Sequence, residues 1–217
     1  MCGLSMTHVQ AQNTAGLRDS LAKATDALAY HPDDIDLRLK KVGWNIELNQ
    51  WEYAKDDLDK VLFMQPTNVA GMFYRAFVNE KMGRYKFARY DYEHLLAIVP
   101  DHFESKLGLA LVNQKDKHFT EAMDQINSLV EAYPDSAVAY AARAGIEVER
   151  KMLELAEYDY TKAFELNGDN LDYLLSRADL RIQLGKKDQA RDDLDLLVSK
   201  GCGRGELESY YRKLRKK

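Results

Sequence analysis

The chain has 217 residues, 46% of them hydrophobic and 30% charged, a balance too apolar for a disordered tail and long enough for one large domain or an array. Thirty-one Lys and Arg stand against 35 Asp and Glu, for a formal net charge of -4, so no overall field draws the molecule to nucleic acid or to an anionic membrane. The two cysteines, Cys2 and Cys202, have neither zinc-ligand spacing nor the numbers for a disulfide framework. No apolar run nears the roughly 18 residues that cross a bilayer.

The first eleven residues, MCGLSMTHVQA, fit no later pattern. They read as a signal-peptide remnant, with Val9 and Ala11 as the small residues ahead of Gln12, or as a disordered N-terminus; the basic leader of a signal is missing. A third reading makes Cys2 a lipid anchor. On these residues an exported, periplasmic location is favoured over a cytoplasmic one. From Gln12 onward the pattern is helical.

Prolines stand at 32, 66, 100 and 134, each 34 residues after the last, and the same register lands on Gly168 and Cys202. A period in this range means stacked supersecondary units. With proline placed at position 32, the units begin at Ile35, Val69, Phe103, Ala137 and Leu171. Position 8 then reads Val42, Ala76, Ala110, Ala144, Ala178, and position 20 reads Ala54, Ala88, Ala122, Ala156, Ala190. One small residue on each of two helices lets them cross closely. Position 24 (Leu58, Tyr92, Ile126, Tyr160, Leu194), position 28 (Leu62, Leu96, Val130, Phe164, Val198), position 27 and position 17 (Trp51, Tyr85, Phe119, Leu153) lie at helical spacing and predict the buried stripe of the second helix. Between the helices, position 15 reads Asn49, Gly83, Lys117, Lys151, Gly185, of which three tolerate the left-handed conformation that ends a helix. Asp33, Thr67, Asp101, Asp135 and Asp169 follow position 32 and are expected to cap the next helix.

This pattern resembles the tetratricopeptide repeat, whose period is 34 and which sets small residues at 8 and 20, aromatics near 4, 11, 17 and 24, and proline at 32. The resemblance runs from about Gln12 to the C-terminus and implies an all-α solenoid, a right-handed superhelix of antiparallel helix pairs. It divides the chain into a half repeat at 13–34, repeats at 35–68, 69–102, 103–136, 137–170 and 171–204, and a capping helix at 205–217. Two features depart from the family: position 11 carries Asn45, Asn79, Asn113, Glu147 and Arg181 instead of an aromatic, and the fifth unit has Lys187 at position 17. In the tail, Leu207, Tyr210, Tyr211 and Leu214 form one apolar stripe suited to covering the last repeat.

Position 7 is cationic in four units (Lys41, Arg75, Arg143, Arg177) and position 23 is aspartate in the same four (Asp57, Asp91, Asp159, Asp193), while the third unit changes both, to Leu109 and Gln125. The co-occurrence predicts that each cation meets the aspartate of its own repeat. The five histidines (His8, His31, His94, His102, His118) do not converge in sequence, and no HExxH, GxSxG, phosphate loop or CxxC occurs. No catalytic residue, cofactor site or metal site is therefore expected. Asp56, Asp57 and Asp59, like Asp192, Asp193 and Asp195, read as a charged helix face, because neighbours in sequence do not face each other on a helix.

In the resembled family the first helix of each unit lines a concave groove at positions 2, 5, 6, 9, 12 and 13. Carried over, this makes Leu39, Phe73, Tyr74, Phe77, Leu107 and Leu111 the candidate partner-binding residues, since aromatic anchors dominate interface energies. The same residues could instead pack against the neighbouring unit. The Lys and Asn positions with which some family members hold a chaperone's C-terminal carboxylate are not matched. The expected function is a non-catalytic scaffold that binds a peptide or helix of another protein, with no nucleic acid and no membrane span. The alternative is an assembly subunit that associates through its terminal helices or with a second copy of itself.

Overall fold

A computed structural model of the chain describes the backbone of residues 3–215 and the side chains of residues 14–215. Among the described residues every regular element is an α-helix. After α1 (Gly3–Tyr30), the repeats contribute α2 (Ile35–Glu47) with α3 (Trp51–Met64), α4 (Val69–Lys81) with α5 (Tyr85–Ile98), α6 (Phe103–Lys115) with α7 (Phe119–Ala132), α8 (Ala137–Glu149) with α9 (Leu153–Leu166), and α10 (Leu171–Gln183) with α11 (Lys187–Ser199); α12 (Glu208–Arg215) follows. First helices start at position 1 and second helices at position 17 in every repeat, as the register predicts. The backbone of α1 is already helical from Gly3, ahead of Gln12. The expected leader falls on residues whose side chains lie outside the described ones.

The chain divides into two compact units, Met1–Asp116 and Lys117–Lys217. In the first, each of α1 to α5 packs on the helix that follows it; in the second, each of α7 to α11 does the same, and α12 also touches α10. The small residues explain how the pairs close: all ten side chains at positions 8 and 20 are fully buried. In the first unit, Val42, Ala54, Leu58 and Val78 form one core cluster and Ala76, Ala88, Tyr92, Leu109 and Val112 another. In the second, Leu207, Tyr211 and Leu214 join Leu174, Ala178, Leu194 and Leu197. The tail thus packs on the last repeat, and its residues continue the register, with Tyr211 at position 7. The position-17 side chains are less buried than the stripe predicts: Phe119 is 41% exposed, with the Arg150 guanidinium 5.6 Å from its ring centre.

The corners correct one expectation. The capping residue is not Asp33, Thr67, Asp101, Asp135 or Asp169 but the next one: Asp34, Asn68, His102, Ser136 and Asn170, each accepting from a backbone N–H two or three residues on. These residues are still extended, so their side chains can turn back onto the first helical turn; the column before them lies one residue too far out. At the turn inside each repeat, all five position-15 residues are left-handed, with φ of 55° at Asn49, 71° at Gly83, 65° at Lys117, 61° at Lys151 and 74° at Gly185. The turn fixes the conformation even where lysine strains it. Lys151→Gly is therefore expected to raise stability by about 1 kcal/mol in a urea titration, the reverse of glycine's usual effect in a helix.

Helical Gly108 gives the opposite case. A Cβ there would stand 2.5 Å from Cζ and 2.7 Å from the hydroxyl oxygen of Tyr92, a ring that is 2% exposed and has nowhere to go. Helix propensity alone favours Ala by about 1 kcal/mol, while overpacking costs about 1–3 kcal/mol. Gly108→Ala is expected to lower the urea midpoint; a raised midpoint would show that Tyr92 can yield.

Candidate functional site: the first-helix groove and the charges behind it

The six candidate groove residues all lie in the first unit, on the first helices α2, α4 and α6. Leu39 and Phe77 flank one core cluster together with Trp51, whose ring meets Phe77 edge-on with centroids 6.3 Å apart. Lys81 Nζ lies 5.0 Å from the Phe77 ring centre. Phe73 packs against the clusters centred on Tyr92 and on Leu95, with His102 5.5 Å and Tyr74 5.6 Å away between ring centroids. Tyr74 is 39% exposed; the other five are half-buried. Phe73 and Phe77 thus serve the packing of the repeats and still keep part of their surface open. Gly43 enlarges the opening on α2, because an added Cβ there would meet nothing within 4 Å.

Behind this face runs a set of ion pairs that matches the expected pairing. Lys41 reaches Asp57 at 3.0 Å, Arg75 reaches Asp91 at 2.6 Å, Arg143 reaches Asp159 at 2.6 Å and Arg177 reaches Asp193 at 2.7 Å. All four aspartates are buried, so these are not solvent-screened surface pairs. Arg75, Arg143 and Arg177 each bind both carboxylate oxygens through Nε and Nη2, the planar fork that lysine cannot offer.

A second anchor was not foreseen. Arg75, Arg143 and Arg177 each donate also to position 25 of the preceding repeat: Asp59 at 2.9 Å, Asn127 at 3.2 Å and Thr161 at 3.3 Å. In α12, Tyr211 occupies position 7 and donates its hydroxyl to Asp195, again position 25, at 2.6 Å. Burial first, then this hydrogen bond to a carboxylate, pushes the Tyr211 phenol up to about 12. Each arginine therefore ties its own repeat to the one before it. Hydrogen bonding to Asp91 raises Arg75 against the opposing effect of burial, and at Asp59 bonds from Lys55 and Arg75 outweigh burial and hold the carboxyl low.

Position 11 is a buried polar column, with Asn45, Asn79, Asn113 and Glu147 each at most 4% exposed. Where the first three repeats bury a neutral amide, the fourth buries a carboxyl. Burial, reinforced by nearby Asp159 and only partly offset by Arg143, raises Glu147 to about 7. Its Oε2 has no hydrogen-bond partner among the described residues. Glu157 shows the contrast: burial would raise it, but Lys186 and Arg181 bind it and lower it.

The outer side of the first unit carries aromatic side chains that sequence reasoning passed over. Phe63 is 87% exposed, and Tyr53, Phe87 and Tyr90 are exposed as well. His94 stacks on Tyr90 with centroids 4.0 Å apart. A hollow of about 540 Å³ lies between Phe63, Met72, Tyr90 and His94, and another of about 590 Å³ between Phe63, Pro32, Asp56 and Lys60. The signal that could have found them is aromatic residues at positions 19, 22 and 29, where other repeats carry Glu121, Asp124 and Glu131. Of the remaining histidines, His31 is exposed, and His102 Nδ1 accepts from the Ser105 N–H at 3.2 Å. Among the described residues, no three His, Cys, Asp or Glu side chains are grouped so as to hold a metal ion, and no helix is long and apolar enough to cross a membrane.

The stability of the second unit should fall with pH because of Glu147. A carboxyl whose folded pKa lies above its unfolded one keeps the folded form's extra proton below about 4.5 at no cost; between there and about 7 the native state binds more protons, so stability declines as pH rises. Glu147→Gln is expected to remove this slope and to be more stable than the parent at pH 8 by on the order of 2 kcal/mol, with little difference at pH 4. Parallel thermal-melt profiles of the two proteins from pH 4 to 8 check it.

Comparison with known proteins places these features in a family context. A tetratricopeptide-repeat family model matches residues 104–136. The Hsp70-Hsp90 organizing protein of Triticum aestivum is 40% identical over 53 residues, which cover 24% of this chain and only 9% of that protein. Among solved structures, a tetratricopeptide repeat protein from Parabacteroides merdae superposes with a TM-score of 0.76 at 19% identity, covering 94% of this chain and 80% of its own. The type IV pilus biogenesis factor PilW superposes with a TM-score of 0.75 at 20% identity, covering 90% of each chain.

Proposed function

We propose that this chain, a member of the tetratricopeptide-repeat family, is a non-catalytic scaffold that holds a peptide or helical segment of another protein in the first-helix groove of its first unit. Proteins built from this repeat generally mediate protein–protein interactions. The observation that carries the reading is the incomplete burial of Leu39, Phe73, Tyr74, Phe77, Leu107 and Leu111 on three successive first helices. Side chains whose bases are fixed by the core and whose edges stay open are pre-ordered for contact, which lowers the entropy lost on binding. Aromatic groups on such a base are the usual hot spots of an interface. The bound segment is expected to bring apolar side chains at alternate or helical spacing, because the open edges are apolar and the arginines behind them are already engaged. Association through the terminal helix is the weaker reading: its apolar stripe of Leu207, Tyr211 and Leu214 is already buried within its own unit.

Tyr74→Ala combined with Leu111→Ala tests the groove with little damage to the core. Affinity capture from the native source with the full chain is expected to lose the partner retained by the unaltered protein, with the helical circular dichroism of the two proteins matched. Capture of the same partner in the same amount by both would place the contact elsewhere.

A further inference from the structure

The outer face of α3 carries a stripe that reads the same from either end. Tyr53, Asp56, Lys60 and Phe63 follow one another at intervals of three, four and three residues, the spacing of a helix-pairing seam. At 100° per residue they fall within about 80° of one another on the helix surface. All four are exposed. Neighbouring charges on the helix are occupied: Lys55 and Arg75 hold Asp59, Arg38 and Lys41 hold Asp57, and Arg84 reaches Glu52. Asp56 and Lys60 have no ion-pair partner among the described residues, although they stand one turn apart on one stripe.

We propose that two copies of this chain associate through this face, with α3 of each lying antiparallel on α3 of the other about a two-fold axis midway between Asp56 and Lys60. Reversal of the helix about that point exchanges the residues in pairs. Asp56 meets the partner's Lys60, Lys60 meets the partner's Asp56, and Tyr53 and Phe63 at the two ends meet the partner's Phe63 and Tyr53. This is the self-complementarity that a two-fold contact demands, since residue i must suit residue j wherever j suits i. Two opposite charges across an antiparallel seam also set its direction, because a parallel pairing would bring like charges together. The ends have room for the exchange: Phe63 stands as a ridge between hollows of about 540 and 590 Å³, into which the partner's tyrosine can settle against Leu62, Met64 and Met72.

The occupant is a second copy and not an unrelated protein because the stripe is unlike its counterparts. The same four positions read Phe87, Tyr90, His94, Ala97 in the second repeat, Glu121, Asp124, Ser128, Glu131 in the third, Leu155, Tyr158, Lys162, Glu165 in the fourth and Gln189, Asp192, Leu196, Ser199 in the fifth. Only the α3 set has an aromatic at each end and opposite charges between. The groove on the first helices is a different surface, so the proposal stands apart from the reading of that groove. One helix pair makes a small interface, and the dimer is accordingly of modest affinity.

Sedimentation velocity of the full chain over rising concentration decides it. The unaltered protein is expected to pass from monomer to dimer. Phe63→Glu should raise the dissociation constant by about 30-fold or more, as for loss of a hot-spot aromatic. Asp56→Lys and Lys60→Asp should each weaken association by roughly threefold to tenfold, and the two together should restore it, because the swap rebuilds both pairs. Each site is exposed, so the fold is not at risk. A protein that stays monomeric at every concentration, a Phe63→Glu variant that dimerises as before, or a double variant no better than the singles would overturn the proposal.

Discussion

The structure depends most on one buried contact: an aspartate on the second helix of a repeat, sealed from water, bound by a cation from the first helix. A carboxylate with 1–3% of its surface exposed is tolerable only where an opposite charge and hydrogen bonds replace its hydration. The arginine that does this at Asp91, Asp159 and Asp193 uses its remaining donor on the repeat before, so closing one helix pair and stacking that pair on its predecessor become a single event. The fully buried small residues at positions 8 and 20 make this geometry reachable, because they let the two helices approach until the fork can span them. Such pairs add little net stability over an apolar core of the same shape. Their contribution is register: a repeat slipped by one residue would leave a buried charge alone.

This division of labour leaves the surfaces free to vary. Position 11, behind the groove, alternates between amide, carboxyl and guanidinium without disturbing the helices, and in the second unit it becomes part of a charged cluster in which Arg181 joins Glu157 to Asp193. Open apolar edges on the first helices face one way; the exposed aromatics of α3 and α5 lie on the second helices. A scaffold held together by contacts between near neighbours can therefore present two unlike faces, the one proposed for a foreign segment and the one proposed for a second copy.

Much of the fold was legible in the residues because the repeat averages out local ambiguity. The 34-residue register set the starts of α2 to α11, and the small-residue columns set the crossing. The joint change of Leu109 and Gln125 exposed a pairing that no single repeat reveals. Three things were not legible, each for a physical reason. The capping residue was assigned one place too early because two adjacent columns are both polar, and only backbone geometry tells which is still extended; His102 as a cap gives no compositional hint. Lys151 adopts the left-handed turn because the packed α8 and α9 on either side require it, and Lys117 adopts it too, both against their own preference. The second anchor of each arginine crosses between repeats, and Asp59, Asn127 and Thr161 share nothing but an acceptor oxygen. At the candidate groove, the sequence named the residues, yet only the packing shows that Phe73 and Phe77 are half-committed to the core while Tyr74 is the most open.

A double-mutant cycle at Arg143 and Asp159, followed by urea unfolding, tests the account most directly. If the pair acts as register lock, Arg143→Met and Asp159→Leu will each cost about 3 kcal/mol or more by stranding a buried charge, and the double variant will recover most of that loss. Losses that simply add, to within about 0.5 kcal/mol, would mean that the two side chains do not depend on each other and that something else holds the repeats in place.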